Sequence, residues 1–330
     1  MTPIPDNTIP SRSELIAGFN KPDAKKAAWQ LTNSLLPYFA LNYLMYLSLS
    51  WSYWITLALA IPAAAFLTRV FIIFHDCGHG SYFKSMKWNK AMGFFLGLFS
   101  YTSYHQWQRT HSIHHGTVGN LDKRGVGDVN TLTLQEFRAL SPWRRFMYKF
   151  YRHPLFLFTI APALLFLVQN RWPSKALNRQ EKWGVMYTNL ALAILIVGFG
   201  LLIGFKAVLL IQLPIMFFAG IAGVWLFYVQ HQFEDTVWMR QDEWDYREAA
   251  LKGSSYLKLP RVLQWFSGNI GFHHVHHIGP RIPNYNLEAC HKKHEVFRNV
   301  KPLDFLGSMR TVRLRVWDEE QKRLVSLRHA

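Results

Sequence analysis

The stretch that decides the fold is residues 31–79, which read LTNSLLPYFALNYLMYLSLSWSYWITLALAIPAAAFLTRVFIIFHDCGH. Its first 44 residues, 31–74, contain Arg69 as their only Asp, Glu, Lys or Arg. Helical geometry of about 1.5 Å per residue makes this roughly 66 Å of helix, or two crossings of a hydrocarbon core of about 30 Å. An aromatic cluster suited to the membrane interface, residues 50–54, separates the halves. The stretch therefore predicts a membrane hairpin that ends at two histidines, His75 and His79.

A second apolar block of the same length follows later in the chain. Residues 186–229 are again 44 residues long, with Lys206 as their only strong charge. The block turns near Gly204-Phe205-Lys206 and predicts a second hairpin. We therefore expect four transmembrane helices, at about residues 31–50, 53–74, 186–204 and 207–229.

Two shorter apolar stretches are predicted not to cross the membrane. Leu155–Val168 has 14 residues and contains Pro162, which favours a re-entrant or in-plane helix. If it crossed, four cations of residues 169–182 would lie outside, against the positive-inside rule. Ala91–Ser100 is also too short to span and is predicted to lie in the membrane plane.

Together these segments predict an all-α membrane protein, with two transmembrane hairpins, in-plane helices and a cytoplasmic helical cap. We divide the chain into an N-terminal arm (1–30), which we expect to be partly disordered, a membrane domain (31–310) and a C-terminal tail (311–330). Both termini are predicted to be cytoplasmic, and no cleaved signal peptide is expected because no apolar segment precedes residue 31. A soluble all-α protein with two unusually apolar hairpins is the structural alternative.

Composition narrows the classes of partner. The 330 residues carry a formal net charge of +17, which suits an anionic membrane surface or an acidic protein. We find no nucleic-acid-binding motif and expect no nucleic-acid partner. The two cysteines, Cys77 and Cys290, do not form a disulfide framework.

The histidines point to chemistry, because eight of the 15 fall into three motifs. On a helix, residues three or four apart share a face, so each motif can direct several imidazoles at one or two metals. Imidazole binds Fe, Zn, Cu and Ni, and so leaves the metal open. The predicted metal ligands are His75, His79, His111, His114, His115, His273, His276 and His277.

The predicted topology supplies an independent check on this grouping. No predicted span separates the first motif (His75 and His79) from the second (His111–His115), and two spans separate the second motif from the third (His273–His277). All three motifs therefore reach the same membrane face. His231 lies just past the end of the second hairpin, at the same depth as His75, and is a candidate ninth ligand. We expect His274 to lie outside the ligand set, His105 to line the cavity, and His291 and His294 to lie on a solvated helix face.

These motifs resemble the signature of the integral-membrane fatty-acid desaturases, an HxxxH box followed by two HxxHH boxes. Four sequence segments are similar to bacterial acyl-lipid desaturases of the Δ5 and Δ12 types. They read FHDCGHGSYFKS, YHQWQRTHSIHHGTVGNLDKRGVGDV, QHQFEDTVW and GNIGFHHVHHIGPRIPNYNLEACH. The resemblance covers about residues 30–310. It implies two iron ions on the box histidines, O2 as co-substrate and formation of a cis double bond in an acyl chain, and we expect a bacterial inner membrane.

The resemblance also exposes a departure from the family. Structurally known animal relatives have a histidine like His231 and, four residues earlier, an asparagine that holds a water on one iron. This chain has Phe227 there. Asn269, four residues before His273, is our candidate to hold such a water.

The need for a separate electron donor is inferred from motifs that the sequence lacks. No haem motif, dinucleotide fingerprint or iron–sulfur cysteine cluster is present, so we expect an external electron donor such as ferredoxin or flavodoxin.

The expected substrate is an acyl chain of a membrane lipid or of an acyl carrier. Trp107, Gln108 and Trp265 are candidate residues that line its binding site; the alternative for each is an ordinary packing role. Alternatives are a hydroxylase, acetylenase or ketolase on the same scaffold, a zinc-dependent membrane hydrolase and a metal transporter.

Overall fold

The computed structural model describes residues 10–327 and is mostly helical. The predicted arm 1–30 lies partly outside the described residues, and its described part contains the short helix α1, Arg12–Ile16. The helices that follow, up to residue 151, are α2 (Ala24–Ser48), α3 (Tyr53–His79), α4 (Met86–Phe99), α5 (Tyr104–Thr117), α6 (Leu134–Ala139) and α7 (Pro142–Tyr151).

The region after α7 changes helical type several times. Phe156–Ile160 and Leu164–Val168 are π-helical and flank α8, Ala161–Ala163, before a short 3₁₀ turn at Gln169–Arg171. The remaining helices are α9 (Arg179–Ile203), α10 (Phe205–His231), α11 (Tyr246–Lys252), α12 (Arg261–Phe266), α13 (His273–Ile278), α14 (Asn284–Lys293), α15 (Glu295–Arg298) and α16 (Phe305–Thr311).

Three described helices, α3, α9 and α10, are long and apolar enough to cross a membrane. They coincide with three of the four predicted spans. The fourth predicted span, 31–50, falls on α2, which is a 25-residue helix but is not among these three. Its polar side chains contact other helices: Gln212 of α10 donates to Asn42 at 2.8 Å, and Arg69 of α3 donates to Ser34 at 3.1 Å.

The segment around Leu155–Val168 forms a bent pair with α7. The two pieces, Pro142–Tyr151 and Phe156–Arg171, meet at 57°, which fits a re-entrant segment as we predict and fits a broken span equally well. Pro162 lies against α10, because a Cβ added to Gly220 would come 2.8 Å from the Pro162 Cβ. The predicted in-plane stretch Ala91–Ser100 falls within α4, whose 14 residues give only about 21 Å of helix.

Local sequence sets the ends of the long helices. Asn178 and Glu181 form a capping box that begins α9, and each satisfies a main-chain N–H that the helix leaves free. Gly80 ends α3 directly after His79 with a φ of 64°, a left-handed conformation that glycine adopts without steric cost. The first two histidines therefore stand on the last turns of a rigid helix.

The prediction of an all-α protein was wrong in one respect, because the chain also forms two small sheets. β2 (Tyr256–Lys258) pairs in parallel with β3 (Pro302–Asp304). In the other sheet β4 (Leu314–Asp318) pairs in parallel with β1 (Leu132–Thr133) and antiparallel with β5 (Arg323–Ser326).

The β4–β5 hairpin lies in the segment that we predicted to be a C-terminal tail. Val316 and Trp317 of β4 and Leu324 of β5 are buried, and Tyr148 of α7 donates to the main-chain oxygen of Arg315 at 2.6 Å. The described part of this segment is therefore packed onto the preceding helices.

The core on the histidine side consists of two apolar clusters. One joins α3 to α4 and α5 through Val70, Phe74, Leu96 and Tyr104, and the other joins α1, α13, α14 and α15 through Leu15, Val275, Leu287 and Phe297. These clusters hold the histidine-bearing elements against one another.

Candidate metal centre

Nine histidines from four helices meet in the interior of the protein. They come from the C-terminal ends of α3 and α10, from the C-terminal half of α5, and from the short helix α13. Their ring nitrogens form two groups, each with all ligand atoms within 4.8 Å of one another. The five-histidine group is His75, His79, His111, His115 and His276, and the four-histidine group is His114, His231, His273 and His277.

The four-histidine group is closely packed around Nε2 atoms. The Nε2 atom of His231 is 3.1 Å from that of His114 and 3.0 Å from that of His273. His277 Nε2 lies 3.1 Å from His273 Nε2. All four rings therefore present the same nitrogen, Nε2, to one point.

The five-histidine group has the same arrangement around His115. Its Nε2 atom is 3.1 Å from Nε2 of His111 and 3.1 Å from Nε2 of His276. The Nε2 atoms of His75 and His79 are buried and have no hydrogen-bond partner among the described residues. These two atoms are free to complete the ligand set.

The protonation state fits a cation at each point. Burial, followed by the neighbouring imidazoles, lowers the pKa of His115, His273, His276 and His277 well below the usual 6.5. Neutral rings that face each other through Nε2 lone pairs repel, and a metal ion removes this repulsion. Two nitrogens about 2.1 Å from one ion and at right angles lie about 3.0 Å apart, which matches the spacing here.

His231 was inferred from its position at the end of α10, and the structure brings it into the four-histidine group. Its Nδ1 atom donates to the main-chain oxygen of Gly253 at 3.1 Å, which leaves Nε2 for a metal. Its role as a ninth ligand stays a prediction.

Three side chains around the centre escaped sequence reasoning. Asp76 contacts His75 Nδ1 at 3.1 Å, Asp128 contacts His114 Nδ1, and Asn284 donates from its main-chain nitrogen to Asp76 at 2.6 Å. In the sequence, Asp76 lies between His75 and His79, and Asp128 directly follows Gly127, but no spacing rule relates either carboxylate to a ligand. No pattern in the sequence indicates Asn284.

The candidate substrate-lining residues lie in different places. The Trp107 ring stacks on His111 with centroids 4.2 Å apart, so it forms a wall of the five-histidine group. Gln108 donates to the main-chain oxygen of Gly78 at 2.8 Å and so ties α5 to α3. The Trp265 ring lies 3.8 Å from the Arg69 guanidinium and is 39% exposed.

Asn269, our candidate to hold a water, has a left-handed backbone with a φ of 60°. Its side-chain NH2 donates to the main-chain oxygen of Asn284 at 3.3 Å. Its role toward a metal stays a prediction. His274 lies outside both groups and contacts His291 Nδ1 through Nε2 at 3.1 Å. His291 was expected on a solvated face, but it is buried, because α14 packs that ring against Tyr256 and Phe272.

The fold and the two histidine groups define a helical membrane protein that could bind metal, and comparison with known proteins identifies its class. Residues 48–301 match the fatty acid desaturase family, so the chain belongs to that family. It is 46% identical over 313 residues to a fatty acid desaturase of Bacillus subtilis, covering 95% of this chain and 89% of the relative. The prediction of an oxidoreductase of the desaturase type is thereby confirmed.

More distant relatives share only part of their length with this chain. An sn-1 acyl-lipid omega-3 desaturase (ferredoxin) of Synechocystis is 29% identical over 67% of this chain and 62% of its own length. A chloroplastic omega-3 fatty acid desaturase of Glycine max is 28% identical over 69% of this chain and 52% of its own.

Proposed function

We propose that the protein is an O2-dependent fatty-acyl desaturase that introduces a cis double bond at a di-iron centre. The observation that carries the proposal is the division of nine converging histidines into two groups, in a chain of the fatty acid desaturase family. Each group has the ligand number and spacing for one metal ion, and imidazole is a suitable donor for iron.

Within this proposal, each histidine group has a defined task. The five-histidine group would hold one iron, and the four-histidine group, with His231, would hold the other. An iron pair supplies O2 activation and hydrogen removal from an unactivated methylene, which no protein side chain can perform. In balance, the acyl chain loses two hydrogens and O2 takes up these, two electrons and two protons to give two waters.

The protein's own contribution is to place the acyl chain and to exclude other reactions. Trp107 is in contact with His111 and would form the wall nearest the reacting carbons. Gln108 would contribute indirectly, by holding α5 against α3 through its hydrogen bond to Gly78. Trp265 would lie at the outer end of the acyl-binding site. We keep Asn269 as a candidate to hold a metal-bound water.

The electron donor is proposed to be a separate small acidic protein, ferredoxin or flavodoxin. Relatives in Synechocystis and Nostoc are named as acyl-lipid desaturases that use ferredoxin. The net charge of +17 on this chain suits docking of an acidic donor and contact with anionic lipid. We propose an acyl-lipid substrate on the same grounds.

For the membrane topology we propose four spans, with α2 as the first, in a bacterial inner membrane. α3 and α10 both end at the histidines, so their C-terminal ends lie at one membrane face. We assign that face and both termini to the cytoplasm, following the positive-inside rule.

The direct test is expression in a bacterial host that lacks desaturases, followed by analysis of double bonds in its lipids. The wild type should produce cis-unsaturated acyl chains. His276→Ala should insert into the membrane to the same level but give no unsaturated product. Hydroxylated acyl chains from the wild type would instead support the hydroxylase alternative, and full activity of the variant would remove His276 from the ligand set.

A further inference from the structure

Each histidine group is backed by one buried carboxylate. Asp76 Oδ1 lies 3.1 Å from Nδ1 of His75 in the five-histidine group, with the two side chains 1% and 5% exposed. Asp128 Oδ1 contacts Nδ1 of His114 in the four-histidine group, with side chains 6% and 0% exposed. Among the described residues, these are the acidic side chains in ion-pair contact with a histidine.

In both pairs the carboxylate faces Nδ1, the ring nitrogen on the side opposite to the point where the Nε2 atoms of the group converge. A carboxylate accepts a hydrogen bond from Nδ1–H, which fixes the tautomer with a free lone pair on Nε2. Consistent with this, His75 Nε2 has no hydrogen-bond partner within residues 10–327, and His114 Nε2 lies 3.1 Å from His231 Nε2 at the centre of its group. We propose that Asp76 and Asp128 are positioning residues, one for each metal. This inference rests on the proposed function.

The support behind Asp76 is a closed network. Its Oδ2 atom accepts from the main-chain nitrogen of Asn284 at 2.6 Å and from the Asn284 side chain at 2.9 Å. The Asn284 side-chain oxygen accepts from Gln30 at 2.8 Å. A chain of hydrogen bonds therefore connects α2 and α14 to the five-histidine group and holds the carboxylate in place.

The support behind Asp128 is a loop that approaches α5 very closely. Gly127 has a φ of 73°, and a Cβ there would be 3.0 Å from the Thr110 carbonyl oxygen and 3.1 Å from the His114 Cβ. Glycine at this position thus lets the loop bring Asp128 against His114. Elsewhere the loop is fixed by Arg240, which donates to Asp122 at 2.7 Å.

Charge gives a second reason for a carboxylate at each group. Nine neutral imidazoles carry no charge, so two buried divalent cations would leave four positive charges to be compensated. A buried charge without an opposite charge nearby is costly. Asp76 and Asp128 provide one negative charge in contact with each ligand set, and we expect them to strengthen metal binding as well as to orient the rings.

The experiment compares Asp128→Ala with Glu248→Ala, which removes a half-exposed carboxylate that pairs with Lys252 and contacts neither the Asp128 loop nor a histidine of the two groups. Full-length protein in detergent is loaded with Fe²⁺, and iron per chain, retention against a chelator and the Mössbauer spectrum are measured. Asp128→Ala should hold one iron about 10–100-fold more weakly than the wild type, and Glu248→Ala should not. Asp76→Ala should weaken the other iron.

The spectrum separates positioning from a general loss of structure. Positioning predicts that Asp128→Ala changes one Mössbauer component and Asp76→Ala the other. Equal changes in both components, or wild-type iron retention in Asp128→Ala, overturn the proposal. If Asp128→Ala does not fold, Asp128→Asn, which has the same shape without the charge, is judged by the same criteria. A wild-type protein that binds no iron would instead refute the proposed function, before any variant is compared.

Discussion

Phe227 lies one helical turn before His231 and packs against the four-histidine group. Its ring centroid is 5.4 Å from those of both His231 and His114. A side chain without a hydrogen-bonding group thus occupies the position where the animal relatives carry an asparagine that holds a water. We infer that an iron ion bound to this group, as proposed, would meet an apolar surface on this side.

Phe227→Asn should introduce a hydrogen-bonding group next to the proposed iron of the four-histidine group. We expect the variant to keep both irons and to change one component of the Mössbauer spectrum, because an amide at this place can hold a metal-bound water. Phe227→Leu is the matched control and should leave the spectrum as in the wild type. Identical spectra for all three proteins would show that residue 227 does not face the metal.

His231→Ala should reduce the iron content from about two toward about one per chain, because the four-histidine group would keep only three imidazoles. His105→Ala is a suitable control, since His105 packs against Gly184 outside both groups. Metal analysis of purified protein checks the prediction. An unchanged iron-to-protein ratio in His231→Ala would remove this residue from the ligand set.

Gly78→Ala should disturb the contact between α3 and α5. A Cβ at residue 78 would come 2.5 Å from the Trp107 ring, and that ring stacks on His111. Such overpacking costs roughly 1–3 kcal/mol, so a lower melting temperature and weaker iron retention are expected.

The control for this variant is Gly116→Ala on α5, where a Cβ would meet no atom within 4 Å. It should be neutral or stabilise the helix by up to about 1 kcal/mol. Equal melting temperatures for the Gly78 and Gly116 variants would argue against the close packing of Trp107.

The stability of the iron-free protein should fall on acidification. The pKa values of His111, His115 and His277 in the folded chain are lowered well below 6.5, mainly by burial. Below about pH 6.5 the unfolded chain therefore binds more protons than the folded chain, and the free energy of unfolding decreases. Melting temperatures between pH 8 and pH 5 test this sign, and a flat or rising profile toward low pH would contradict it.

Much of the site could be predicted because it depends on local periodicity. His75 and His79, or His273 and His277, share a helix face by their spacing alone, and long apolar runs fixed the helices that carry His75 and His231. The contact of Asp128 with His114 could not be predicted in this way, because it requires a glycine-dependent loop to fold back on α5. The bond from Asn284 to Asp76 joins residues 208 positions apart.

The fold shows the same division. α3, α9 and α10 follow from uninterrupted apolar sequence, whereas the polar side chains of α2 find their partners only in the packed structure, as Asn42 does with Gln212. The short strands were missed because their pairing depends on distant segments, such as Leu132 beside Val316. Runs of two to five residues carry too little periodicity to predict a strand.

The central claim is that the two histidine groups hold two irons. Metal analysis of the full-length protein, purified from cells grown with iron and zinc in comparable supply, tests it most directly. We predict about two irons per chain and little zinc, one ion for each group. A single zinc per chain without iron would contradict the di-iron account.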